Sequence, residues 1–465
     1  MQKSPIIYSH IEENFMSGLN KNLDMLNGSL GDKILRYALP LAFTGILQQL
    51  FNASDVAVVG HFAGEAAMAA VGCNTPIISF LVNLFLGLSL GSNVIISQLT
   101  GQGDSERVSK AVHTSMVISV TGGVVIALIA ELLAAPVLHL LQVPDEVYPM
   151  ALSYLRIYIA GLPVIFLYNF EAAIFRSQGK TEKPLIALAL TGVLNVGLNV
   201  FFVVVLHRKA DGVAIATVIA NAVSALILLV MLLCEKTSIR VEFSKLAVEP
   251  VLLKKIMRIG IPSGLQGCVF ALSNMCVQSA INSLGTVVMA SSSAAFNIDC
   301  FSFFIINSFG QACTTFVGQN YGAGKEERCT KTLKYSFLLD GMFTLVMCVL
   351  IVTFGRPLLH IFNDNPDVID YGMTRLKILV IGHLFSFQVE IFSGYLRGYG
   401  RSALPAAITV ASVCGIRLFW VFAIFRFFHT FPMLMIVYPI SLCVNAVGLL
   451  IATFVFMRRK QFSHA

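Results

Sequence analysis

The chain has 465 residues, 56% of them hydrophobic and only 12% charged, roughly half the charged share of an ordinary soluble domain. So few polar groups cannot cover a water-facing surface, which excludes a soluble enzyme and leaves the bilayer as the solvent that fits. The net charge of +7 is spread in short clusters between apolar runs, a pattern of membrane topology rather than of a nucleic-acid partner.

In chain order, residues 1–33 are polar and mixed in charge, lack the apolar core of a signal peptide, and are expected to form a cytoplasmic tail. Twelve runs then reach the roughly 20 apolar residues that a spanning helix needs. The first six are 34–58, 69–96, 112–135, 150–174, 184–206 and 212–234. The second six are 256–281, 290–315, 333–359, 372–396, 404–428 and 433–457. The expected fold is an all-α integral membrane protein. The ten cysteines fall mostly singly inside these runs, with no CxxC pair and no His/Cys ligand spacing, so neither a disulfide framework nor zinc is indicated.

Basic residues set the orientation. With the N-terminus inside, the inner segments hold Lys33 and Arg36, then Arg107 and Lys110, then Arg176, Lys180 and Lys183. They also hold the stretch from Lys236 to Arg258, the group Lys325, Arg328, Lys331 and Lys334, then Arg397 and Arg401, and finally Arg458, Arg459 and Lys460. The outer loops hold mainly Arg208, Lys209, Arg356 and Arg426. Both termini are therefore expected in the cytoplasm, with the chain in a bacterial inner membrane.

The chain also repeats itself. Pro40, Gly45 and Asn52 recur as Pro262, Gly267 and Asn274 at an offset of 222. Gln98, Gly103 and Arg107 recur as Gln319, Gly324 and Arg328, and Arg176, Gly179 and Pro184 as Arg397, Gly400 and Pro405, both at 221. Six helices per half is an even number, so the halves enter from the same side as a parallel repeat around a central cleft. The expected divisions are an N-lobe over 34–234, a basic cytoplasmic linker over 235–255, a C-lobe over 256–457 and a cytoplasmic tail over 458–465.

Ionisable side chains inside a bilayer are costly and mark function. Those singled out are Asp55, Glu131, Glu171, Asp299, Glu390 and Arg417, five of the six acidic, which favours cationic cargo or cation coupling. On the first run Thr44, Gln48, Asn52 and Asp55 make one polar face, and Pro40 removes a backbone hydrogen bond where a bend is expected. Asn195 and Asn199 share a face of the fifth run, and Thr217 adds a hydroxyl from the sixth; their alternative role is interhelical glue. The repeat sets Val277 opposite Asp55, Asn169 opposite Glu390 and Phe392 opposite Glu171, so the halves differ in where they hold charge. Gln48, Asn52, Glu171, Glu390 and Asp299 are candidates to line a substrate cavity, Glu131 and Asp299 are candidates for an interface, and Arg417 for the partner of a buried acid. No Walker A, HExxH, GxSxG or strand-borne GxGxxG is present, so no catalytic residue or cofactor is expected and energy must come from an ion gradient or a partner.

The run Pro40-Leu-Ala-Phe-Thr, continuing to Asn52-Ala-Ser-Asp55-Val-Ala-Val-Val-Gly60, resembles the first helix of the multidrug and toxic compound extrusion (MATE) family. Gln98-Leu-Thr-Gly-Gln-Gly103, Gly318-Gln-Asn-Tyr-Gly-Ala-Gly324 and Leu396-Arg-Gly-Tyr-Gly-Arg-Ser402 are similar to that family's turns, and the likeness covers about 30–460. The resemblance implies antiport of H+ or Na+ against amphipathic, often cationic, organic compounds by a monomer in lipid. From the DinF-like branch it implies a first-lobe cation site at Asp55, Asn195, Asn199 and Thr217, with Asn199 where that branch has an aspartate. The helix 7 glutamate of NorM-type members falls near Phe270. The alternatives are a lipid-linked oligosaccharide flippase of the same superfamily, which needs a basic cavity for diphosphate, and a receptor or scaffold that moves nothing.

Overall fold

Apolar runs of this length have one stable backbone option in hydrocarbon, a helix that satisfies its own hydrogen bonds. The computed structural model describes residues 23–141 and 143–462. The helices of the first half are α1 (Gly31–Phe62), α2 (Glu65–Gly101), α3 (Ser105–Leu140), α4 (Tyr148–Ala160), α5 (Leu162–Ser177), α6 (Glu182–Val205) and α7 (Ala210–Leu233). Those of the second are α8 (Pro250–Asn282), α9 (Thr286–Gly322), α10 (Glu326–His360), α11 (Pro366–Gly398), α12 (Ala403–Ile424) and α13 (Phe431–Lys460). Among the described residues eleven are long and apolar enough to span alone, and α4 with α5, bent by 47°, makes twelve if the pair counts as one broken span.

Two features differ from the sequence expectation. The run 150–174 is not one straight helix: Pro163, in the first turn of α5, lacks the N–H that would continue the ladder, and the chain turns at Gly161. The helices also overrun the apolar stretches, since headgroup-level residues still satisfy the ladder; α2 ends at Gly101 rather than 96, and α3 starts at Ser105 rather than 112. There the Asp104 carboxylate accepts from the Arg107 N–H and caps α3.

The segment 235–255, expected as a linker between the lobes, packs against the first lobe. α8 already begins at Pro250. Before it, Glu235 bridges Lys180 (2.9 Å) and Lys183 (3.0 Å), the Glu242 N–H donates to His113 Nε2 (3.0 Å), and the Glu249 N–H to Thr114 Oγ1 (3.1 Å). The last residues of the presumed N-terminal tail are likewise packed. Asn320 and Arg328 of the second half both donate to the Met25 carbonyl (3.2 Å each), while the Met25 side chain lies against Gly179 of the first.

Within the first lobe α1 packs on α6, α6 on α7, and α5 on α2, α3 and α7; within the second, α9, α10 and α11 pack together and α11 carries α13. The lobes meet through α1 and α2 against α8 and α9. Their junction displays the repeat directly. Gln98 Nε2 donates across to the Gly398 carbonyl (2.8 Å), and its repeat mate Gln319 donates to the carbonyl of Ser177, the mate of Gly398 (2.7 Å). Gly101 presses on the Gln319 carbonyl, and its mate Gly322 on that of Gln98. We expect Gln98→Ala and Gln319→Ala to destabilise the protein equally, by about 1 kcal/mol each, in thermal unfolding of the reconstituted protein. Costs that differ several-fold would show that the two crossings are not equivalent.

The lobes touch over only half their height. α2 and α8 run together from Gly91 and Ile256 through Gly87 and Gly264 to Phe80 and Cys268. α1 and α9 run together from Tyr37 and Thr315 (2.9 Å) to Gly45 and Phe304. Among the described residues the interlobe hydrogen bonds and glycine contacts reach no further out than these pairs, and residues 46–62 and 65–79 on one side and 269–282 and 286–303 on the other, which carry none, form the parted half. The closed half is the end bearing the basic clusters.

Candidate ion site and cleft

Asp55 lies in the parted half of α1, turned into the first lobe and only 8% exposed. The four-residue spacing of Asn195 and Asn199 puts both amides on the α6 face toward it. Asn199 Nδ2 donates to Asp55 Oδ1 at 2.5 Å and lies 3.3 Å from Asn195 Oδ1. Thr217 on α7 donates to Asp55 Oδ2 at 3.3 Å. Two side chains, Asn199 from α6 and Thr217 from α7, thus donate to one carboxylate, with Asn195 behind Asn199 and, among the described residues, no cation among its partners. Asn199 Oδ1 is buried and unbonded, so rotating that amide would turn a third oxygen toward an ion beside those of Asp55 and Thr217. Tyr154 and Tyr158 on α4, which sequence reasoning passed over, are buried in the core of the first lobe.

The remaining candidates separate. Gln48 and Asn52 are exposed in the parted half of α1, whereas Thr44 is buried and bonded back to the Pro40 carbonyl (2.8 Å), so the polar face is split by packing. α1 runs unbroken through Pro40. Glu171 is not a cavity residue: it is fully buried inside the first lobe with neither carboxylate oxygen bonded, because its face of α5 packs into α2, α3 and α7. Glu390 pairs with Arg397 across 3.7 Å and packs on Gly310. Glu131 forms an exposed pair with Arg156 at 2.8 Å. Asp299 on α9 accepts from or donates to His383 of α11 at 2.7 Å.

Among the described residues Arg417 has no acid partner. Its guanidinium donates to Asn274 Oδ1 (2.5 Å) and Ser441 Oγ (3.2 Å) and stacks on the rings of Phe270 (5.0 Å) and Tyr438 (4.5 Å). Amide oxygen and aromatic faces stabilise the buried cation instead of a carboxylate. At Phe270, then, the second lobe holds a fixed cation of its own. Further buried ionisable residues inside the spans escaped the sequence reading, among them Asp340, fully buried with one oxygen unbonded, Arg375, bonded to Ser292, and His383. The rule that found Asp55 reaches them too, since they lie inside the runs 333–359 and 372–396.

Known proteins resemble the chain along most of its length. It is 26% identical to a probable multidrug resistance protein NorM of Thermotoga maritima, covering 85% of this chain and 86% of that one. It is 22% identical to the multidrug export protein MepA of Staphylococcus aureus, covering 90% and 92%. Among solved structures, a MATE in complex with MaL6 superposes with a TM-score of 0.87 at 22% identity over 96% of this chain and 100% of that one. An outward-facing MATE transporter gives 0.86, also at 22% identity, over 96% and 99%. Those likenesses fix the fold of two facing lobes. The profile of the MatE family matches twice, at residues 40–201 and 262–422, so that its two copies start 222 residues apart, in the register of the repeat. With both lobes matched, the chain belongs to the MatE family of membrane transporters.

Proposed function

We propose that the protein is a secondary active multidrug efflux transporter, exchanging external H+ or Na+ for amphipathic, cationic organic compounds by alternating access. The observation that carries this reading is the Asp55 cluster, one carboxylate with only neutral polar partners in the parted half of α1. The orientation follows from the basic clusters: both termini and the closed half face the cytoplasm, and the parted half faces outward from a bacterial inner membrane. Asp55 then meets external ions. Closing the outer half withdraws it from water, which costs far more for a bare carboxylate than for one carrying a proton or Na+. The loaded form therefore favours the closed state, the differential affinity that coupling requires.

The site is of the DinF-like kind, confined to the first lobe, with Arg417 beneath Phe270 in the second. Asn195, Asn199 and Thr217 serve as ligands or orienting partners, and Pro40 lets α1 bend as the ion binds. Gln48, Asn52, Asp299 and Glu390 contribute polar groups to the cargo path. The relatives named multidrug resistance and export proteins support the cargo class, as does the acidic character of the intramembrane charges. The transporter works as a monomer surrounded by lipid, with no cofactor.

The test is ethidium flux in proteoliposomes under an imposed H+ or Na+ gradient. We expect one gradient to drive uphill movement and its ionophore to stop it. If neither gradient moves ethidium, the proposed exchange is wrong for this cargo, and lipid-linked sugars become the next substrates to try.

A further inference from the structure

We propose that residues 23–28, which lead into α1, form a latch across the cytoplasmic ends of the two lobes, with Met25 as its bolt. The segment has a fixed shape of its own. The Asp24 carboxylate accepts from the Leu26 and Asn27 N–H groups (2.9 and 3.1 Å), and Lys33 Nζ donates to the Asp24 and Asn27 carbonyls (2.7 and 2.6 Å). Gly28, at φ +69°, turns the chain into α1. Three side chains of the α9–α10 turn grip this shape from the second lobe. Asn320 Nδ2 and Arg328 Nε donate to the Met25 carbonyl (3.2 Å each), and Arg328 Nη1 and Nη2 to the Gly28 and Asn27 carbonyls (2.9 and 3.0 Å). Lys325 Nζ donates to the Leu26 carbonyl and to Asn27 Oδ1 (3.0 Å each). The Met25 side chain, 1% exposed, points the other way, onto Gly179 in the α5–α6 turn of the first lobe. A Cβ on Gly179 would lie 2.8 Å from Met25 Cε and 3.0 Å from Leu23 Cβ, so the bare glycine is the seat that admits them.

Opening the cytoplasmic half requires the α9–α10 turn to leave the α5–α6 turn, breaking the bond from Gln319 to the Ser177 carbonyl. The segment straddles that line, so one of its ends must let go. Its grip on the second lobe is made of charge-assisted bonds to backbone carbonyls. Its hold on the first is the dispersion contact of apolar side chains with the Gly179 turn. The Met25 contact is therefore the end that releases. The other junction is built differently. The segment before α8 also crosses to the opposite lobe, at His113 and Thr114 of α3. There the repeat sets Ala247 in the place of Met25, and Gly400, the mate of Gly179, has Ile259 and Gln98 against it instead. Of the two repeat-related junctions, one carries the bolt. The latch weights the molecule toward the state with its outer half parted. The contacts stand on their geometry, and their part in transport rests on the antiport reading.

The test uses the full chain carrying Ser177→Cys in lipid nanodiscs. Position 177 is 0% exposed, two residues before the seat of Met25, and Gln319 reaches its backbone carbonyl, which the exchange keeps. Its alkylation by a hydrophilic maleimide, located by peptide mass mapping, reads the opening of this junction without cargo. We expect Met25→Ala, which removes the bolt and keeps the carbonyl acceptor, to raise that rate at least tenfold, and Met25→Leu to stay within threefold of the parent. Arg328→Ala frees the other end of the segment and should also raise it at least tenfold. Because both act through one latch, the double variant should label no more than threefold faster than the faster single. Arg107→Ala, at the repeat mate of Arg328, whose guanidinium lies 3.9 Å from Asp104, should leave the rate unchanged. Cys313, 0% exposed in the second lobe, must stay unlabelled as the check on folding, and Arg328→Ala decides should Met25→Ala expose it. Unchanged labelling in Met25→Ala and Arg328→Ala overturns the latch whether or not ethidium moves. Faster labelling in a protein that moves no cargo under either gradient overturns the antiport reading and leaves the latch standing.

Discussion

Asp55→Asn should abolish ion-driven export while leaving the protein folded. Asparagine keeps the shape of the aspartate and one carbonyl oxygen, so the bond from Asn199 to Oδ1 can be kept, while the amide group in place of Oδ2 can donate to the Thr217 hydroxyl instead. What is lost is the change of charge. In the wild type, a tenfold proton gradient supplies about 1.4 kcal/mol for each proton carried, enough to sustain roughly a tenfold gradient of a singly charged cargo in one-for-one exchange. With asparagine the first lobe is permanently neutral and no longer distinguishes one side from the other. Accumulation of ethidium should fall to the level of protein-free liposomes, whereas its binding to detergent-solubilised protein should change less than tenfold. Full accumulation in the variant would remove Asp55 from the coupling step. The partners have graded roles. Asn199→Ala, which removes the donor at 2.5 Å, should cost more than Thr217→Ala, whose hydroxyl lies at 3.3 Å.

How much of this was legible beforehand depends on what each feature obeys. Hydrophobic length revealed the crossings because bilayer thickness imposes it on every span alike. The repeat was visible because glycines, prolines and glutamines at the lobe junction answer to the same geometry twice, as Gln98 and Gln319 do in each reaching a carbonyl of the opposite lobe. Asn195 and Asn199 could be placed on one face because a helix fixes spacings of four, and the family resemblance named Thr217 as their neighbour. The partners of single charges were less accessible. Arg417 was expected beside an acid, yet rings and an amide from α8 and α13 hold it, and nothing local to Arg417 announces them. The Asp299–His383 pair is of the same kind, its members 84 residues apart on different helices. The break at Gly161 was hidden for a different reason: hydropathy stays apolar through it, and only the backbone chemistry of Pro163 gives it away.

Gly87→Val should wedge the lobes apart on the cytoplasmic side and stop transport as surely as losing the ion site. Gly87 and Gly264 pass so closely that even a Cβ on Gly87 would lie 2.1 Å from the Gly264 nitrogen. These are backbone atoms of a long helix, not the movable end of a side chain, so a branched side chain must displace α8 as a whole. Gly87 and Gly91 on α2 face Gly260 and Gly264 on α8, small residues at four-residue spacing that allow close helix contact in membranes. The corresponding α1–α9 contact has Ala38, Ala42, Ser308 and Ala312 at the repeat-related positions and is looser. The closed half is therefore held more tightly along one seam than the other, and α2–α8 is where a wedge acts most. Overpacking of this order costs about 1–3 kcal/mol, which shifts the balance between closed and opened cytoplasmic halves by roughly 5- to 150-fold. Cys268, 2% exposed at the top of this seam with its thiol against the Phe80 carbonyl, is a built-in reporter. Its alkylation by a membrane-permeant maleimide, followed by peptide mass mapping, should rise at least tenfold in Gly87→Val while ethidium flux falls at least tenfold. Unchanged labelling with normal flux would mean that the seam yields without cost. The inner gate would then have to depend on the Gln98 and Gln319 crossings and the Met25 contacts instead.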